Sequence, residues 1–463
     1  MIANNLPRRP GRNNRSFAMI ANILLGAVLS TAALAATPGP TPGFDPAPPY
    51  ADCPAQGVAQ NELPCPGQPG DVPLENKTGV RVLPLPGLKP DPAACPQNAE
   101  GKPELLGLHD VTPVENFYVR NHGAIPQRAL AQSLAGWQLQ VDGFVQRPRN
   151  FTMAQLKAEF PHYSRQYVLE CAGNGRHGYR PGNQKQGGPA SGNQWTIGAA
   201  ANGNWTGVLL RDVLLSVGLQ DAASYLAWYA EDKDCGGTDA DLISRGFDLE
   251  KAMDDGTMLV FEMNGVPLPS YHGFPLRVFA PGYPGAAQGK WLTRLWVRDQ
   301  VHDGAKMTGW AYRMPTLPLF AGGANTSVPP DAYAPPIETE IITKLGVRAI
   351  ITAPPRCHHQ DGRTVAVEGR AWSGAGDVVR VEVSVDHGMT WSDADALARP
   401  VNKWAWQKWS KTVVLPSAGA FRVMARATDV EGRVQPIITP GWNPKGYMSN
   451  AVMNVDIAVT VKK

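Results

Sequence analysis

The chain has 463 residues, room for two or three domains, and its 43% hydrophobic and 18% charged content is that of an ordinary soluble protein. Its formal net charge is +3, with lysines and arginines scattered beyond the N-terminus, so a nucleic-acid role finds no support. Its 13 tryptophans and 43 prolines argue for loop-rich α+β or β structure and against a helical bundle.

Residues 1–35 read as an export signal. Arg8, Arg9, Arg12 and Arg15 precede an apolar run over 18–33, and Ala33-Leu34-Ala35 has the small-residue pattern of a cleavage site. The run is short for a membrane span. Arg8-Arg9 is compatible with a twin-arginine route, although Pro10 and Gly11 depart from the usual pattern. The expectation is a periplasmic protein, in a compartment where disulfides form. Residues 36–103 are rich in Pro and Gly and predict an extended arm. A disulfide is expected among Cys53, Cys65 and Cys95, with Cys171, Cys235 and Cys357 further on. Cys357-His358-His359 reads as a surface loop, because adjacent side chains do not converge easily on one ion. No C-x-x-C-H occurs, so no c-type haem is expected on this chain.

From 104 the pattern changes to short strands with a few helices. Trp137 to Val141 alternates as a strand, Thr152 to Phe160 predicts a helix capped by Thr152, and Thr206 to Gly218 predicts another ending at Gly218. Glu170-Cys171-Ala172-Gly173-Asn174-Gly175-Arg176 follows the apolar Tyr167-Val168-Leu169. A strand ending in glycines lifts a side chain out of a sheet and lets something large approach the backbone. A thiolate is a soft metal ligand, and Arg176 offers a rigid fork to an oxyanion. A lone buried cysteine is more often a small hydrophobe, so the other patches decide.

Those patches are Phe117-Tyr118-Val119-Arg120-Asn121-His122, then Asn264 through Pro269 with His272-Gly273-Phe274-Pro275-Leu276-Arg277, then Pro281-Gly282 with Lys290-Trp291-Leu292. After a Pro-rich linker over 315–336, residues 338–463 predict an all-β, immunoglobulin-like sandwich, with strands at Val365 to Gly369, Val379 to Val385, Lys411 to Leu415 and Phe421 to Thr428 and a turn at Ser384 to Gly388. That module ends in Trp442-Asn443-Pro444-Lys445-Gly446. Arg and His set between glycines and strand ends suit a ring-containing cofactor that bears a phosphate.

In order and spacing these motifs resemble the sulfite oxidase family of mononuclear molybdenum enzymes, over roughly residues 104–463. The resemblance implies an α+β molybdenum-cofactor domain over 104–325 and a dimerisation domain over 338–463. It implies that Cys171 is the protein thiolate on molybdenum, and that Phe117, Asn121, His122, His272, Arg277 and Lys290 hold the pterin cofactor and its phosphate. Arg120, Arg176 and Trp195 match substrate-pocket positions, and Tyr312 falls near the family's active-site tyrosine, one residue displaced. Two positions depart from the pattern: Lys445 stands where sulfite-oxidising members carry a third arginine, and Gly175 where many carry a second one. The nitrate-reducing branch lacks the third basic residue. No cytochrome b5-like haem segment is present, so the resemblance implies sulfite oxidation with electrons passed singly to an external c-type cytochrome, by a homodimer. Sulfane-sulfur oxidation on the same centre is the nearest alternative, and a non-catalytic exported β-rich module is the one from another class.

Overall fold

The structure is a computed structural model that describes residues 80–82, 93–179, 190–238, 241–319, 327–355, 358–438 and 441–460. The export signal, Cys53, Cys65 and Cys357 lie outside these residues. Two five-stranded sheets build the first domain. One is antiparallel, running Val266–Pro267, Met258–Met263, Ala200–Leu209, His162–Glu170, with Arg277–Phe279 also paired to Met258–Met263. The other orders Arg149–Phe151, Leu139–Gly143, Leu292–Arg298, Tyr225–Ala230 and Arg245–Asp248, with only Leu139–Gly143 against Leu292–Arg298 parallel.

The helix expected over Thr152 to Phe160 runs Met153–Glu159, and Thr152 and Gln155 cap it reciprocally. The helix expected from Thr206 starts later, at Leu210–Val217, with Gly218 ending it at φ 70°. Thr206 to Leu209 instead close the strand Ala200–Leu209. That strand is buried along nearly its whole length, between a core containing Val208 and Phe261 and another containing Trp205 and Phe279. A strand covered on both faces shows no alternation, which is why its apolar end merged with the helical period that follows.

The Pro-rich segment contributes order that its composition hides. Val80–Val82 pairs with Asn98–Gly101, which pairs with Val119–Arg120. Glu100, fully buried, accepts from the Thr196 amide and hydroxyl at 2.9 Å each and pairs with Arg81. Cys95 is bonded not to another early cysteine but to Cys235, 140 residues away. A partner so distant in sequence leaves no local signal, whereas the expectation rested on proximity.

The second domain packs a four-stranded sheet, Arg348–Ala353, Thr364–Trp372, Gln407–Val414, Ala396–Leu397, on a five-stranded one, His358–Asp361, Met453–Thr460, Gly419–Asp429, Val378–Ser384, Ser392–Asp393. Val367, Trp409, Val381 and Ala425, from both sheets, share one core. His358 and His359, expected in a loop, stand in a strand parallel to Met453–Thr460. The expected turn after Ser384 forms, with His387 and Gly388 at φ 61° and 82°. Across the linker, Arg313–Pro315 pairs with Thr339–Ile341.

Candidate active site

The site is a cavity whose empty space, open mouth included, is about 650 Å³. Its wall includes Arg120, Asn121, His122, Cys171, His272, Arg277, Lys290 and Tyr312, drawn from segments up to 192 positions apart (Arg120 to Tyr312). Cys171 sits one residue past the strand His162–Glu170, 7% exposed, and its amide donates to Ala199 O at 2.9 Å. The chain then turns sharply. Gly175 has φ +85°, and a Cβ there would lie 2.7 Å from Ser449 O, so the larger residue common in the family does not fit this backbone.

Three cations and one carboxylate meet in the wall. Arg277 is 3% exposed and makes no ion pair with a carboxylate among the described residues; burial brings its pKa from 12.5 down to about 10, with the Tyr118 phenol opposing. Lys290 donates to Arg120 O at 3.0 Å, to Tyr271 O at 2.9 Å and to Asn121 Oδ1. An ammonium has three donors, so these three acceptors use all of them and tie the wall together, while burial, then Arg277, lowers the Lys290 pKa well below the usual lysine range against the pull of Asp232. Asp232, absent from the motif reading, lines the cavity too, and burial raises its carboxyl to about 6 against the pull of Lys290. Its surroundings, Glu231-Asp232-Lys233-Asp234, carry no pattern and read as a solvated run.

At the other side His122 Nε2 lies 2.7 Å from the Tyr312 hydroxyl. Burial, then Arg120, lowers the His122 pKa, and burial raises that of Tyr312, so both are neutral near pH 7. Tyr312 holds φ 53° and stacks on Tyr447 at 5.1 Å. Arg176 lies outside the cavity wall, its guanidinium donating to Lys445 O and Asn193 O at 2.6 Å each. Its pKa is lowered by burial, with the Cys171 thiol opposing. Lys445 is half-buried, and burial, Lys306 and Arg176 lower its pKa. Trp195 is fully buried, edge-on to Tyr118 at 6.3 Å, with its indole N–H unpartnered. Phe117 is fully buried and packs edge-on to His272 at 5.2 Å, supporting the wall from behind.

A further buried group braces this wall. Arg298 donates to His302 Nδ1 at 2.9 Å; arginine has only donors, so Nδ1 accepts and the neutral ring donates from Nε2 to Ser244 Oγ at 2.7 Å. Ser244 in turn donates to the carbonyl of the wall residue Trp228 at 3.0 Å. Burial first, then Arg298, brings His302 from 6.5 to about 4. The unfolded chain therefore binds the proton first: this contribution to stability is complete above pH 6.5 and is lost as pH falls towards 4. Melting temperature measured from pH 7 to 4 is expected to fall, and His302→Gln to flatten that fall; equal slopes in both proteins would refute the assignment.

The site suits a molybdenum pterin cofactor on grounds of its own chemistry. Arg277 Nε, Asn121 Nδ2 and Gln288 Oε1 are buried without a partner in the chain, and all three residues line the cavity. Such groups are costly unless a polar ligand satisfies them. Among the described residues no group of three or more His, Cys, Asp or Glu side chains is placed to hold a metal ion, so a metal on the Cys171 thiolate needs ligands brought by a cofactor.

Known proteins agree with this reading. The structure is similar to that of the sulfane dehydrogenase SoxCD from Paracoccus pantotrophus, with a TM-score of 0.64 at 24% identity over 90% of this chain and 96% of that one, which speaks for the fold. Residues 122–306 match the oxidoreductase molybdopterin binding domain and residues 339–460 the Mo-co oxidoreductase dimerisation domain. Sulfite oxidase of Gallus gallus is 34% identical over 376 residues, 79% of this chain and 77% of that protein. Mitochondrial sulfite oxidase of Homo sapiens is 32% identical over 79% of this chain and 65% of its own length, and a nitrate reductase of Hordeum vulgare is 34% identical over 77% of this chain and 40% of its own. With a thiol, a cation-lined cavity and both domains in the expected places, the chain belongs to the sulfite oxidase family of molybdenum-cofactor oxidoreductases.

Proposed function

We propose that this protein oxidises sulfite to sulfate at a molybdenum cofactor held by Cys171, and passes the electrons singly to an external c-type cytochrome. Identity alone separates sulfite oxidases poorly from nitrate reductases, since both stand at 32–34%. The observation that carries the reading is the third cation: Lys445 lies within electrostatic reach of Arg176, whose Nε donates to its carbonyl. With Arg120 in the cavity wall they bring three basic groups to one region, more than enough to offset a small dianion. Lysine keeps that charge but forgoes the bidentate fork, so it docks an oxygen as a point charge.

Bound in the cavity, the cofactor supplies the oxygen atom that sulfite gains and takes up its two electrons. The chain's part is to bind and orient. Arg120 offers its charge from the cavity wall and Arg176 from beyond it, and the neutral His122–Tyr312 pair offers a hydroxyl that donates to substrate or relays a proton through the 2.7 Å contact. The second domain, two facing sheets with a common core, is read as immunoglobulin-like and as the self-complementary face of a homodimer. Export to the periplasm is supported by the Cys95–Cys235 disulfide, a bond kept in oxidising compartments.

The test is metal analysis of protein from a cofactor-competent host, with cytochrome c reduction followed on adding sulfite. Stoichiometric molybdenum with sulfite-dependent reduction is the expected result. Molybdenum without that activity moves the substrate elsewhere, to sulfane sulfur first. Protein without molybdenum overturns the enzyme reading.

A further inference from the structure

Glu170 immediately precedes Cys171, and its side chain is 4% exposed. It is held from the other domain. Arg348 Nε lies 3.0 Å from Glu170 Oε1, with its N–H off that line, and the Trp372 indole donates to Oε2 at 2.7 Å. Arg348 and Trp372 are register partners on adjacent strands of the second domain, so they approach the carboxylate as one plate. Arg348, 6% exposed, also donates to Ser449 O and, at 3.4 Å, to Asn174 O.

Asn174 closes the circuit. Its amide nitrogen donates to Glu170 Oε1 at 3.0 Å, and its Oδ1 accepts from the Ala199 amide at 3.1 Å, the residue whose carbonyl holds the Cys171 amide. Met448 N donates to Ala172 O at 2.8 Å. Ala172, Asn174 and Arg176 of the turn that carries the thiol are thus each bonded to the second domain or to Glu170. Directly behind the thiol, Glu170, Cys171, Arg348 and Asn450 line a small gap.

Stability does not account for this arrangement. A buried ion pair regains little beyond its desolvation, and a neutral pair of similar shape commonly does as well. What charge and several directed bonds do provide is one fixed geometry. We propose that Glu170 and Arg348 are a positioning pair for Cys171, through which the second domain sets where the thiolate stands in the cofactor cavity. The domain named for dimerisation is then also part of the metal centre's frame. This rests on the reading of Cys171 as the molybdenum thiolate.

The test compares Glu170→Gln, Arg348→Gln and the double variant with wild type. Three quantities are read: molybdenum retained after gel filtration, the paramagnetic signal of the one-electron-reduced metal, and the alkylation rate of Cys171 in cofactor-free protein, with Cys171→Ser as blank. Loss of an outer partner of a metal ligand typically weakens metal binding about 10–100-fold. Each single variant is expected to fall in that range, to alter the signal and to alkylate about tenfold faster, the double variant departing less than the sum of the singles. A lower melting temperature with unchanged signal and unchanged alkylation would mean a merely structural pair and overturns the proposal. If the singles do not fold, the double variant is decisive: a wild-type signal and alkylation rate overturns it, and a changed one supports it. Wild-type protein without molybdenum defeats the functional reading instead, and the alkylation rate then judges the pair by itself.

Discussion

Cys171→Ser is expected to give a folded chain that keeps no molybdenum and shows no sulfite-dependent reduction. The substitution changes one buried atom at a side chain 7% exposed, so the cavity keeps its shape. Burying a hydroxyl without a partner costs about 1–3 kcal/mol, tolerable in a core of this size. The chemistry changes far more. A thiolate is soft and ionises readily, whereas a hydroxyl binds a metal weakly near neutral pH. Outer partners of a ligand are worth about 10–100-fold in metal affinity, so loss of the ligand itself should reach at least about 100-fold. Metal content and circular dichroism, measured on the same preparation, separate lost metal from lost fold. A variant that retains stoichiometric molybdenum and sulfite activity would remove Cys171 from the centre, and with it the reading of the heptapeptide.

Cys171 was legible because its signal is local: an apolar strand end followed by glycines. The same holds for Arg120, His122, His272, Arg277 and Lys290, which lie at strand or helix ends in short motifs and which the fold brings to one cavity. Asp232 was not legible, because one acid in a charged run means nothing until Lys290, 58 positions on, is seen to stand near it. Arg348 and Trp372 were invisible for the same reason: their meaning depends on Glu170 across a domain boundary. Order in the Pro-rich segment was missed because composition reports the lack of a core, while Asn98–Gly101 borrows one from the domain it joins. Asn98, whose Oδ1 accepts from the Asn121 amide at 3.0 Å, makes that segment part of the site's frame. The resemblance placed Lys290 among the residues that hold the pterin and its phosphate, and the three acceptors around its ammonium show that its donors are spent inside the wall.

Arg277→Met is expected to move two quantities in opposite directions: cofactor retention down and the stability of cofactor-free protein up. Arg277 is a cation almost wholly removed from water, with a 3.3 Å contact to His272 O and its Nε without a partner among the described residues. Burial that brings its pKa from 12.5 to about 10 corresponds to roughly 3 kcal/mol against the charged form, at about 1.4 kcal/mol per factor of ten. Methionine replaces the aliphatic stem and carries no charge to desolvate, and the space left by the guanidinium opens on the cavity that Arg277 lines. Losing the bond to His272 O returns about 1 kcal/mol of that gain. The net effect on protein from a cofactor-deficient host is a higher melting temperature, by about 2–4 °C for each kcal/mol gained. In the loaded protein the balance is expected to reverse, the guanidinium then gaining the cofactor's phosphate as its partner. Removing one partner of a buried charge pair costs about 2–5 kcal/mol, a factor of roughly 30 to several thousand in retention. Arg277→Lys keeps the charge without the fork and should fall between the two. A methionine variant that loads molybdenum as wild type does would show that the phosphate is held elsewhere. One that loses both cofactor and stability would show Arg277 to be a packing residue, because only a charge kept for an absent anion destabilises the chain that holds it.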